Sequence, residues 1–413
     1  MSMETLLREY LPNYSRERFI MKTISISSLC FMTLVFSMQS SMVHAQPNTI
    51  PLIGYTELKT NLEGGRHPNV RTMRASLVKA DGTSPSKIAD QLVTETDSWT
   101  QFAGWSPDGR QAIIVRGWED YENAQWEEKN KNFRYTKKAY LVDSFLVDLE
   151  TKRPINVTGI DRVSFYNTGL FFWKNEPGKL GFTAIIDGNS HPFRMTLDGK
   201  NKTDLTKDSK DFSYGFSSSP DGKRIAYHKN YQIYIADADG NNAQKIETQN
   251  PFNFAPAWSP DGSWLLFVSG EHYNCHPCMA KSDGTGFKKL ADRGGYRGVV
   301  DFIDVPDFHG GSSDVPCWSK DGKSVFYTAI LENKVELFQI TTDGAITQLT
   351  KSKPMTLHYH PQPSPDGKYL VYGSKRDGVR QLFVMNLEDK IEKQITNLQS
   401  GSAAMWPHWQ TSK

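Results

Sequence analysis

The stretch Trp258-Ser259-Pro260-Asp261-Gly262 decides the fold, because the chain repeats it. Ser-Pro-Asp-Gly also starts at Ser106, Ser219 and Ser364, and a variant, Ser-Lys-Asp-Gly, starts at Ser319. Trp105 and Trp318 precede their copies as Trp258 does. Strand-like apolar runs follow each copy, such as Trp264 to Val268 and Tyr369 to Tyr372. A second turn lies downstream, at Asp81-Gly82, Asp198-Gly199, Asp239-Gly240, Asp283-Gly284 and Asp343-Gly344. Pro presets φ and Gly accepts a positive φ, so each Pro-Asp-Gly closes a tight hairpin. Each unit therefore reads as four antiparallel strands, A to D, with strand A ending at Pro-Asp-Gly and strand C at the second Asp-Gly. Repetition of such a unit every 40–60 residues or so predicts an all-β radial array of small sheets, a β-propeller.

The count predicts seven blades, with six or eight as the alternatives. Full or nearly full units begin near residues 99, 162, 211, 252, 313 and 358, while residues 51–92 supply only strands B to D. The missing strand A is expected at the other end, where Met405-Trp406-Pro407-His408-Trp409 matches Ala255-Pro256-Ala257-Trp258. Pairing of the C-terminal strand with the first unit would close the ring and remove an exposed edge.

The repeats resemble those of the TolB-like β-propeller family over nearly all of residues 46–413. That resemblance implies the fold and leaves the function open, since such propellers serve as binding scaffolds and as enzymes.

Ahead of the repeats, Met21-Lys22 opens an apolar stretch from Ile24 to Phe36, followed by Val43-His44-Ala45. This is the pattern of a signal peptide over 21–45, cleaved after Ala45, with residues 1–20 as an N-terminal extension. The expected product is periplasmic or secreted, with no transmembrane segment in the mature chain. A formal charge of +2 with Lys and Arg spread throughout argues against a nucleic-acid partner. Three cysteines follow the leader: Cys275, Cys278 and Cys317. No βαβ pattern surrounds Cys275-His276-Pro277-Cys278, so a local or inter-blade disulfide is expected ahead of redox chemistry or structural zinc.

Nine of the ten histidines lie beyond Ala45. By the blade reading all nine fall on the face of the B–C loops and D-to-A connections: His67, His191, His228, His272, His276, His309, His358, His360 and His408. The densest feature is Leu357-His358-Tyr359-His360-Pro361-Gln362. Residues two apart on a strand share a side, so His358 and His360 are expected to face the channel together as a pair of metal ligands. Lys375, Arg376 and Arg380 stand beside them, suited to a carboxylate-bearing ligand. His309, in the Gly-rich connection from Asp304 to Asp314, or His276 is the candidate to complete the shell.

A second, narrower resemblance rests on this His-x-His-Pro segment, the Ser-Lys-Arg-Asp-Gly loop and Gln381-Leu382-Phe383-Val384. Together they resemble the oligogalacturonide lyases, seven-bladed propellers that split uronate oligomers by β-elimination with a manganese-type ion held by histidines. The resemblance implies a divalent metal (Mn2+ or similar) on His358 and His360 and an acidic oligosaccharide as substrate. Where that family has a glutamine ligand this chain has Met355. Where it has a further histidine this chain reads Asp314-Val315-Pro316, which leaves His309 as the substitute, and its proton-abstracting arginine falls near Gln232. For such an elimination, His276, His272 or His309 is a candidate base, and Arg376 or Arg380 would neutralise the uronate carboxylate. The competing reading is a non-catalytic propeller that binds a glycan or an envelope protein.

Overall fold

A computed structural model describes residues 50–411, apart from 65, 131–139, 160–168, 187–188, 207–209, 212, 272–273 and 297–313. The expected extension and signal peptide lie outside the described residues, as do His272 and His309. No helix among the described residues is long and apolar enough to cross a membrane.

The fold is all-β. Four sheets are simple four-stranded meanders, spanning 99–156, 170–204, 213–245 and 252–289. The other strands form one twelve-stranded sheet made of three further sets of four. Single parallel bridges, Val335 to Leu357 and Arg380 to Ala403, join those sets. The C-terminal strand Ser402–Trp409 pairs antiparallel with Leu52–Lys59, which continues to Arg74–Lys79 and Ser86–Lys87. We number the units from this set onward, so that units 5, 6 and 7 begin at Phe252, Cys317 and Leu357. Two helices, α1 (Arg66–Val70) and α2 (Tyr121–Asn130), interrupt the B–C connections of units 1 and 2.

The repeated turn explains its own sequence. In all five copies the Ser Oγ donates to the Asp carboxylate at 2.5–2.7 Å. The same Oγ accepts the backbone N–H five residues on, at 2.9–3.0 Å. The Asp accepts the N–H two residues after itself, at 3.1 Å in each copy. The motif is thus a self-contained knot of hydrogen bonds, and its Ser and Asp have structural work.

The Trp before the turn joins neighbouring units. Indole N–H groups donate from Trp105 to the His408 carbonyl, from Trp258 to Ser217, from Trp318 to Ala257 and from Trp409 to Gln362. The core lies between the faces of adjacent units. Ile233 and Ile235 of unit 4, for example, pack on Leu265 and Phe267 of unit 5.

Among the described residues Cys275, Cys278 and Cys317 form no disulfide, contrary to the expected one. Cys275 and Cys278 are three apart on the strand Asn274–Lys281, so they project to opposite faces and join different hydrophobic clusters. Burial pushes the Cys278 thiol up to about 12, which makes it inert at neutral pH.

Candidate functional site

His358 and His360 lie on the strand Leu357–Pro363, the inner strand of unit 7. The strand packs Tyr359 over Gly373 of its neighbour, where any Cβ would meet the ring at 1.9 Å. Plain alternation, the premise for a shared orientation, fails here. The register slips between Tyr359 and Gln362, and His360 sits at a φ of +50°. Comparable slips occur in units 1, 2, 4 and 5, with left-handed residues at Trp406, Gly215 and Ala255, so the bulge is a property of the repeat.

The two imidazoles consequently meet different partners. His358 is fully buried, with its Nε2 2.7 Å from Ser352 Oγ and 3.6 Å from the Glu336 carboxylate. Burial holds its pKa below the ordinary value, against the pull of Glu336. Burial alone would raise Glu336, but the adjacent His358 imidazole and hydrogen bonds from Thr350 and the Ser352 N–H outweigh it and bring the carboxyl to about 2. His360 is held through its backbone N–H, which donates to Asp314 Oδ1 at 2.9 Å, while its Nδ1 lies 3.4 Å from the same oxygen. Its ring stacks on Trp406. The remaining ring nitrogens, His358 Nδ1 and His360 Nε2, are buried and make no hydrogen bond among the described residues.

Asp314 anchors a buried chain of polar groups that the sequence reading did not assemble. It accepts from Tyr296 at 3.0 Å and from Thr328, and faces Arg293 at 3.7 Å. Burial would raise its carboxyl, but His360 and Arg293 outweigh that and bring it to about 2. Arg293, 1 % exposed, donates twice to Thr328, from Nε and Nη2. Its backbone N–H donates to His276 Nδ1 at 3.2 Å, which fixes the tautomer of that ring, and burial lowers the His276 pKa. Nothing near Arg293 in sequence marks it. Asp314 stood in the Gly-rich connection, but only the fold shows that it supports His360.

The two arginines are engaged within unit 7. Arg376 pairs with Glu392 at 2.7 Å, donates to Ser374 and Tyr372, and covers the Phe383 ring. Arg380 is 3 % exposed, against the face of Tyr359. The structure thus brings His276 and His360 onto one network, and His358 and Arg376 onto neighbouring groups of another. Among the described residues, no three His, Cys, Asp or Glu side chains gather in a way that would hold a metal.

His408 falls elsewhere than expected. It stands next to last in Ser402–Trp409, at the turn end of its strand, and not at the strand's start on the loop face. Burial, then the nearby charge of His360, pushes it down to about 4. It lines a cavity of about 380 Å³ formed by the turn ends of the inner strands of units 1, 2, 6 and 7 and by Pro260 of unit 5.

No family profile matches the chain. An uncharacterised protein of Agrobacterium fabrum is 27% identical over 194 residues, 40% of this chain and 64% of its own length. The Tol-Pal system protein TolB of Desulfosudis oleivorans is 27% identical over 143 residues, 33% of this chain and 26% of its own length. Both matches therefore span less than two thirds of the relative. Among solved structures, an oligogalacturonate lyase in complex with manganese superposes with a TM-score of 0.53 at 13% identity, covering 85% of this chain and 88% of that one. TolB from Acinetobacter baumannii gives 0.50 at 16% identity, covering 87% and 66%. At these identities the likeness speaks to fold alone. By its repeats and its fold, the chain is a TolB-like propeller that resembles oligogalacturonate lyase.

Proposed function

We propose that residues 46–413 form a seven-bladed propeller closed by the C-terminal strand, exported after loss of residues 21–45, that acts as a metal-assisted lyase on uronate-containing oligosaccharides. Seven sets of four strands and the pairing of Ser402–Trp409 with Leu52–Lys59 support the architecture. The cavity where inner strands of several units converge supports a radial arrangement.

One observation carries the activity. Each of His358 and His360 turns one ring nitrogen to a carboxylate and leaves the other buried without a hydrogen bond among the described residues. Imidazoles that ligate metals are oriented in this way, with one nitrogen on the ion and the other on an outer carboxylate or hydroxyl. His358 Nδ1 and His360 Nε2 are the nitrogens we assign to a divalent ion, with His309 as the proposed third donor. Met355, 78 % exposed, stands where the lyases carry glutamine and supplies no hard donor. Such an ion, when bound, would neutralise the charge that develops on a uronate carboxylate.

The chain's own groups supply the rest. Arg376 would share its guanidinium between Glu392 and the substrate carboxylate. Burial keeps His276 neutral near pH 7, as a base requires, but its Nδ1 lone pair is occupied by the Arg293 N–H. We therefore assign proton abstraction to His272, or to His276 once that bond is released. Arg380 is too buried to meet a substrate directly and would position Tyr359.

A second reading, a non-catalytic propeller binding a glycan or an envelope protein, is favoured by the internal pairing of Arg376 with Glu392. Metal analysis and turnover separate the two. The purified protein is expected to bind about one manganese-type ion and to produce unsaturated uronate absorbance from oligogalacturonides. His358→Ala and His360→Ala should each remove both properties. Metal content unchanged in the double variant defeats the metal site, and retained metal without turnover on any acidic glycan favours the binding reading.

A further inference from the structure

Glu336 and Gln381 hold the same place in successive units. Each is the third residue of its strand C, Lys334–Thr341 in unit 6 and Val379–Asn386 in unit 7. Each ties down the connection to the next inner strand with the same bonds. Glu336 accepts the Thr350 hydroxyl at 2.5 Å and the Ser352 N–H at 2.7 Å. Gln381 accepts the Thr396 hydroxyl at 2.7 Å and the Leu398 N–H at 3.0 Å. The two threonines in turn accept the N–H groups of Leu337 and Leu382, both at 2.9 Å. A neutral amide therefore does this structural work, and the charge of Glu336, fully buried, is not needed for it.

Two further positions differ along with it. Where unit 6 has Ser352, unit 7 has Leu398. Six residues on, two before the left-handed residue that precedes a proline, stand His358 and Ala404. Glu-Ser-His at one junction thus replaces Gln-Leu-Ala at the next. The three added groups meet: Ser352 Oγ lies 3.1 Å from Glu336 Oε2 and 2.7 Å from His358 Nε2. Lys334 stands 3.8 Å from the other carboxylate oxygen, but it also pairs with Glu332 and donates to the Ser352 carbonyl, so it does not depend on Glu336. A hydroxyl has one proton to give, and a carboxylate can only accept. The Ser352 proton therefore goes to Glu336, and the Oγ lone pair takes the proton of His358 Nε2. In a neutral ring that leaves Nδ1 as the lone pair, and Nδ1 is the nitrogen that is buried without a hydrogen bond among the described residues.

We propose that Glu336, acting through the Ser352 hydroxyl, fixes the tautomer of His358 with its proton on Nε2 and so presents Nδ1 as a donor to a divalent cation. Glu336 and Ser352 are then positioning residues. The use of Nδ1 rests on the metal reading above; the tautomer does not. In Glu336→Gln the amide oxygen can keep the Thr350 hydroxyl and the Ser352 N–H, as Gln381 keeps theirs. The Ser352 hydroxyl, left without a carboxylate, turns its proton to His358 Nε2. The ring proton then moves to Nδ1 and cancels the donor.

Long-range proton–nitrogen NMR of protein with labelled histidine reads the tautomer at mildly alkaline pH, where imidazole is neutral. The His358 signals are identified by their loss in His358→Ala. The parent should show the Nε2–H form. Glu336→Gln should melt like the parent, turn His358 to the Nδ1–H form and weaken Mn2+ binding, followed by calorimetry, roughly tenfold or more. Gln381→Glu buries the same charge where Ala404 offers it no partner, so it should melt below the parent and leave the His358 tautomer as it is. A parent ring protonated on Nδ1, an unchanged tautomer in Glu336→Gln, or a Glu336→Gln protein that melts well below the parent overturns the proposal. If no Mn2+ binds while the tautomer shifts as expected, the lock stands and the metal reading falls.

Discussion

At the turn end of the inner strands, five copies of Ser-x-Asp-Gly reproduce the same three hydrogen bonds, all among neighbours in sequence. At the loop end of units 5 to 7, the polar groups are instead long-range and particular: Arg293 with Asp314, Glu336 with His358, Arg376 with Glu392. The contrast separates two kinds of polar burial. Local turns stabilise each unit on its own and repeat because the hairpin repeats. The loop-end pairs tie different segments together and differ from unit to unit. Neutral or paired charges held there at the cost of desolvation are what a functional site requires, although structural ion pairs share the signature.

Removing Asp314 should break the contrast most severely. Asp314→Ala leaves Arg293 buried without its carboxylate and removes the acceptor for the His360 N–H. Loss of one partner from a buried pair costs roughly 3–5 kcal/mol. Urea unfolding should show that loss, and metal content, where present, should fall with it through His360. A cost below about 1 kcal/mol would mean that the network is incidental.

The pH dependence should sharpen it. His408 titrates from an ordinary 6.5 down to about 4 in the folded chain. Between those values the unfolded chain binds the proton and the folded chain does not, so stability present above pH 6.5 is lost as pH falls toward 4. With about 1.4 kcal/mol per pKa unit and allowance for a ring that is partly exposed, the loss is roughly 2 kcal/mol. His408→Asn should flatten that part of the curve. His358 and His276 are shifted in the same direction, so the slope that remains in His408→Asn reports on the loop end. An identical slope in the variant would contradict the assignment.

The legibility of the chain follows the same division. Turns were readable because Ser, Asp and Gly act within five residues, and the pairing of the C-terminal strand was readable because Met405 to Trp409 repeats unit 5. His358 was readable as a histidine of unusual context. Its expected shared orientation with His360 fails because the strand bulges at a residue with positive φ; the same left-handed residue precedes Pro256 and Pro407, so the bulge is legible only when the repeats are aligned. Arg293 was not readable at all. Its partners lie 21 and 35 positions away, at Asp314 and Thr328, and only packing of units 5 and 6 brings them together. His408 was placed at the wrong end because its strand begins at Ser402, three residues before the motif that identified it.

The smallest expected effect tests whether the turn end really repeats. Ser219→Ala, Ser259→Ala and Ser364→Ala each delete one hydroxyl that donates to an Asp and accepts a backbone N–H. All three serines are buried, so water replaces the lost bonds poorly. A typical lost hydrogen bond of this kind costs about 1 kcal/mol. Because the distances agree among the copies, the three variants should lose the same stability within about 0.5 kcal/mol, and the triple variant should lose their sum, as expected for sites without shared partners. Urea midpoints at unchanged slope measure this. One serine costing several times the others would show that its turn carries a load its neighbours do not. Ser364 would then be the informative case, because it lines the turn-end cavity beside Gln362.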